Sequence, residues 1–125
     1  MIIIKSYTDL EQSKRLAEIL PIESSDMCWT NHYYGRMRSS MTISAKSIYE
    51  YKKLLERFAD STSIDVFYPA WSLAALYSVM PTFTLDSSDD KYFRIHCCKK
   101  FSEWYDNPVD ACCELILKLK ELNLL

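Results

Sequence analysis

A chain of 125 residues, 49% hydrophobic and 26% charged, has the size and composition of one globular domain, residues 1–125, and is too rich in apolar residues to be disordered. Fifteen Lys and Arg against seventeen Asp and Glu give a net charge of −2, which excludes an overall positive field for nucleic acid or an anionic membrane and leaves only local basic patches. The lone glycine, Gly35, excludes the P-loop, the Rossmann fingerprint, the nucleophile elbow and the kinase glycine loop, all of which need several residues that approach a ligand without a Cβ.

The start, Met1-Ile2-Ile3-Ile4-Lys5, is too short an apolar run for a secretory signal, and no later stretch reaches transmembrane length. A cytoplasmic protein without a membrane partner is expected. Thr8-Asp9-Leu10-Glu11 has the spacing of a capping box, so a first helix is predicted from there, with Leu16, Ala17 and Leu20 on its dry side and Pro21 as its stop. Between Glu23 and Thr42, Ser24-Ser25-Asp26 reads as a turn, and the brief alternation of Met27-Cys28-Trp29-Thr30 and Arg36-Met37-Arg38 suggests a loose hairpin.

Ser47-Ile48-Tyr49-Glu50 is a second candidate capping box, and Ile48, Tyr51, Leu54, Leu55 and Phe58 lay an apolar stripe on a second helix expected from about Ser44 or Ser47 to Asp60. Ile64 to Tyr68 is β-prone. Pro69 then suits the first position of a helix, and the run from Ala70 to Met80 is apolar almost all round, which predicts a buried central helix closed by Pro81.

Phe83-Thr84-Leu85 and Lys91 to Cys97 flank the turn-forming run Asp86-Ser87-Ser88-Asp89-Asp90 and predict a hairpin. Within it Phe93, Ile95 and Cys97 share one face, and Tyr92, Arg94 and His96 the other. A third strand is expected around Phe101 to Tyr105. Asn107-Pro108-Val109-Asp110 supplies a cap, a first-turn proline and an acidic first turn for a last helix reaching about Leu122. The fold class expected is α+β, with about four helices packed on a small, mainly antiparallel sheet.

Glu11-Gln12-Ser13-Lys14-Arg15-Leu16, Pro69-Ala70-Trp71-Ser72-Leu73-Ala74-Ala75-Leu76 and Asn107-Pro108-Val109-Asp110-Ala111-Cys112-Cys113-Glu114 occur in this order, with Asp26-Met27 between the first two. The order resembles a group of small bacterial, prophage-associated proteins that carry "EQS-L", "PAWSL-AL" and "NP-DAC-E" motifs. The resemblance implies a mobile-element origin and brings no activity, cofactor or catalytic residue. Tyr33 to Ser63 carries no motif of the group.

Five cysteines, four of them in the adjacent pairs Cys97-Cys98 and Cys112-Cys113, do not form a disulfide framework and read as buried thiols. Cys28 and His32 with His96 and Cys98 offer zinc-type ligands, but the C-x-x-C knuckle of a structural site is missing, so no metal is expected. Neither a thiol nucleophile nor a carboxylate dyad stands out, and no enzyme activity or cofactor is expected. The best binding patch is Trp29, His32, Tyr33, Tyr34, Arg36 and Arg38, where stacking surfaces interleave with cations. Two functions follow: a non-catalytic accessory or protein-interaction protein, with an unidentified protein partner or self-association, or a small single-stranded nucleic-acid-binding protein using that patch.

Overall fold

The computed structural model describes residues 5–34, 37–38, 41–45, 47–48, 50, 63–89 and 91–125, with the backbone alone at 31–34, 37–38 and 63–67. Helix α1 spans Leu10–Ala17. Its cap is Asp9, one residue later than the predicted Thr8: the Asp9 carboxylate accepts from the Gln12 N–H at 2.8 Å, and the Gln12 side chain accepts from the Asp9 N–H at 3.1 Å. Thr8 is drawn inward instead. Fully buried, its hydroxyl lies 2.8 Å from that of Ser13 and accepts from the Trp71 N–H at 3.1 Å, while its own N–H donates to the Trp71 carbonyl. A buried hydroxyl without such partners is costly, so tertiary pairing overrides the local box.

A 3₁₀ turn at Ile22–Ser24 leads to strand β1, Met27–Tyr34, the centre of the first sheet. Strands β2 (Met37–Arg38) and β3 (Thr42–Ser44) pair with one edge of β1 and β4 (Ser63–Ala70) with the other, all antiparallel. The hairpin expected over this region is present, with β1 and β2 paired antiparallel and Tyr34 opposite Met37, but its first strand is eight residues long and also pairs with β3 and β4. Ser47 accepts from the Glu50 N–H at 3.2 Å and Ile48 is buried, as the second capping box anticipates, while residues 51–60, where the rest of the second helix is expected, lie outside the described residues.

The helix expected from Pro69 to Met80 is corrected in extent and in place. Pro69 and Ala70 stay in β4, opposite Cys28 and Met27, where an edge strand among the described residues tolerates a missing N–H. Helix α2 covers only Leu73–Val79, capped by Ser72, whose hydroxyl accepts from the Ala75 N–H at 3.2 Å. Asp26 supports that cap by accepting from the Ser72 N–H at 2.9 Å and from its hydroxyl. Ala74 and Ser78 face water, so α2 is not buried all round.

The core centre is instead α3, Pro108–Glu121, capped by Asn107 and carrying eight buried residues from Pro108 to Leu119. It packs on α2 and on a second antiparallel sheet of β5 (Phe83–Ser88), β6 (Tyr92–Cys97) and β7 (Lys100–Phe101). Ile95 and Cys97 point into the core and Tyr92 faces out, in line with the predicted alternation. The expected third strand is short, and the chain rejoins β6 by a single bridge from Tyr105 to Phe93. The class is α+β as expected, but with two small sheets in place of one, and three α-helices among the described residues against about four.

Candidate functional site

The sequence-predicted patch lies on the first sheet. Trp29 is half-buried, its indole N–H donates to the Thr8 carbonyl at 3.1 Å, and its ring meets Tyr7 edge-on at 6.1 Å. It braces the amino-terminal segment against β1. His32, Tyr33 and Tyr34 form the far half of β1, and Arg38 lies in β2 opposite Tyr33; their side chains, and Arg36 altogether, lie outside the described residues.

The zinc-type residues are divided between the sheets, Cys28 in β1 and His96 in β6 with Cys98 just beyond, and no group of three or more His, Cys, Asp or Glu gathers as a metal set among the described residues. Burial pushes the Cys28 thiol up to about 11 and that of Cys113 to about 12. Neither has the depressed pKa of a thiol nucleophile.

A cleft of about 490 Å³ opens between α1 and α3, bordered by Asp9, Gln12, Arg15, Tyr105, Asp110 and Glu114. Its polar groups largely serve one another. Asp110 accepts from Lys5 at 2.8 Å, Gln12 at 2.7 Å and Asn107 at 2.9 Å. Burial alone would raise the Asp110 pKa, but these hydrogen bonds outweigh it and hold the carboxyl below its ordinary range. Burial likewise works against the charged Lys5, yet the contacts with Asp110 and Asp9 prevail and raise its pKa. At the cleft wall burial and a hydrogen bond with Glu114 push the Tyr105 phenol up to about 12. Gln12 and Asp110 come from the first and last sequence motifs, while Trp71 and Ser72 of the middle one bind Ser24 and Asp26. The motifs meet as a framework joining α1, α2 and α3.

The outer face of the second sheet differs. Arg94 lies across it with its guanidinium 4.6 Å from the Phe101 ring centroid and 4.7 Å from that of Trp104. Two of its nitrogens donate to one Asp86 oxygen at 3.0 and 3.2 Å. His96 stacks on Phe101 at 4.1 Å with the rings nearly parallel. The ladder therefore contains His96, Phe101, Arg94 and Trp104, with a slot of about 290 Å³ between Trp104, Tyr92 and Ser88. Tyr92, Phe101 and Trp104 remain 52%, 45% and 42% exposed, although each could have been spent in the core. Adjacent large apolar groups left in water mark a contact surface better than single exposed residues do.

The alternation of Tyr92, Arg94 and His96 marks half of this face in the sequence. Phe101 and Trp104 cannot be placed that way, because the turn at Cys98 and Lys99 resets the register before the chain returns along β6. No family model, curated protein or solved structure matches the chain.

Proposed function

We propose that this chain is a non-catalytic accessory protein of mobile-element origin that works by protein interaction, docking the outer face of β5, β6 and β7 onto a second copy of itself. The observation that carries the reading is the Arg94 guanidinium set between the exposed Phe101 and Trp104 rings. Trp, Tyr and Arg are the side chains that dominate protein interfaces, and here they are pre-ordered, so little rotamer freedom is lost on docking. The order of the three motifs supports the mobile-element origin.

Charge favours a second copy as the occupant. The turn joining β5 to β6 carries the exposed Asp89 beside Lys91, and the turn joining β6 to β7, at the opposite end, carries the exposed Lys99. A two-fold axis across the strands would lay Asp89 of one copy over Lys99 of the other. The ladder favours protein over nucleic acid, since Arg94 is already paired with Asp86 and Phe101 already stacks with His96 and Arg94.

Light scattering on a sizing column over a wide concentration range tests this: the expected result is a concentration-dependent dimer that Trp104→Ala and Arg94→Ala return to monomer. A monomer at every concentration overturns self-pairing. Salt-sensitive binding of a short oligonucleotide by that monomer, lost in Trp29→Ala and Arg36→Ala, would put the single-stranded nucleic-acid reading on the first-sheet patch in its place.

A further inference from the structure

The two adjacent cysteine pairs are built differently. Cys112 and Cys113 lie on α3, both buried in the core. On a continuing strand Cys97 and Cys98 would point to opposite faces. But β6 ends at Cys97, and Cys98 takes a left-handed φ of 55°, followed by Lys99 at 64°, a conformation that non-glycine residues adopt at a cost. That reversal turns the exposed Cys98 thiol back to within 3.5 Å of the buried Cys97 thiol.

We infer that Cys97 and Cys98 form a reversible two-electron oxidation site, which closes to a disulfide between neighbouring residues when the exposed thiol meets a peroxide. The thiolate sulfur of Cys98 attacks hydrogen peroxide: an S–O bond forms, the O–O bond breaks, and hydroxide leaves to take up the thiol proton as water. The Cys97 sulfur then attacks the Cys98 sulfenic sulfur: the S–S bond forms, the S–O bond breaks, and a second water leaves with the Cys97 proton. Two thiols lose two electrons, and one peroxide is reduced to two waters.

Burial, followed by the contact with Cys98, pushes the Cys97 thiol up to about 11, which keeps it protonated while the exposed partner meets the oxidant. Cα atoms joined by one trans peptide are about 3.8 Å apart, short of the usual disulfide span of about 4.4 to 6.8 Å. The closed form is therefore strained and returned easily by a thiol reductant, the behaviour of a labile disulfide. The turn also joins His96 to Phe101, so closure puts a redox-dependent constraint at one end of the aromatic face whether or not that face pairs with a second copy.

The test is titration of the whole chain with hydrogen peroxide, followed by thiol counting, intact mass and peptide mapping under non-reducing conditions. The expected product has lost two hydrogens, shows three reactive thiols after denaturation in place of the five free cysteines, maps the link to Cys97 and Cys98, and recovers all five with dithiothreitol. Cys98→Ser should lose no thiol pair under the same dose, and Cys97→Ala should accumulate a Cys98 sulfenic acid trapped by dimedone. A link mapped to any other pair, an intermolecular product, unchanged thiol number, or equal loss in Cys98→Ser overturns the inference.

Discussion

Trp29 and Trp104 stand on the two sheets in similar company, each among aromatic and cationic residues, and the fold uses them in opposite ways. Trp29 donates its indole N–H to the Thr8 carbonyl and packs on Tyr7, holding the amino-terminal segment to the first sheet. Trp104 packs only on the Arg94 guanidinium among the described contacts and is 42% exposed. Composition alone therefore does not separate a brace from a docking surface; what separates them is whether the indole N–H is hydrogen-bonded within the fold. Trp71 marks the extreme of the first role, fully buried with its indole N–H on the Ser24 hydroxyl at 2.9 Å.

The largest effect is expected at that extreme. Trp71→Ala removes the largest fully buried side chain and leaves the Ser24 hydroxyl without its donor. A loss of about 3 to 5 kcal/mol in urea unfolding follows from the cavity alone, enough to unfold much of a marginally stable domain at 25 °C. Trp29→Ala should cost less, about 2 kcal/mol, from one hydrogen bond, an edge-on aromatic pair and partial burial. Trp29→Phe should recover the packing share of that loss. A cost for Trp29→Ala no larger than that of a surface substitution would erase the distinction between the two sheets.

The framework side of the comparison also carries a pH signature. The folded-state pKa of Asp110 lies below its ordinary value of 3.8, so the unfolded chain takes up its proton first as the solution is acidified. Its stabilisation is fully present above the unfolded value and is lost as pH falls through the folded one. The melting temperature should drop below about pH 4, and part of that drop should vanish in Asp110→Asn, which keeps the shape but not the charge facing Lys5. An acid branch identical in the variant and the parent would show that the Lys5–Asp110 pair contributes nothing to folding.

These framework residues were the most legible part of the sequence because their signals are local. Asn107-Pro108-Val109-Asp110 fixes a helix start within four residues, and the alternation from Tyr92 to Cys97 assigns inside and outside without outside information. Signals that depend on a distant partner misled. Thr8 has the side chain of a cap but belongs to Trp71, and Pro69 has the φ of a helix start but belongs to the edge of β4 beside Cys28. The aromatic run at Trp29 was visible as composition, whereas the Arg94 ladder is assembled by a left-handed turn at two non-glycine residues, a conformation no propensity assigns to Cys98 and Lys99.

Trp104→Ala is the sharpest probe of the comparison because its expected effect on folding is the smallest. The ring lies outside the core and contributes mainly an exposed cation–π contact, so the change in unfolding free energy should be within about 0.5 to 1 kcal/mol. Arg94 keeps Asp86 and Phe101 as partners in the variant, so the sheet retains its order. If the face exists for docking, this nearly silent substitution should abolish concentration-dependent association while the more damaging Trp29→Ala leaves association intact in the fraction that remains folded. The reverse pattern, with association surviving Trp104→Ala and failing in Trp29→Ala, would move the contact surface to the first sheet and make the Arg94 ladder an exposed piece of scaffold.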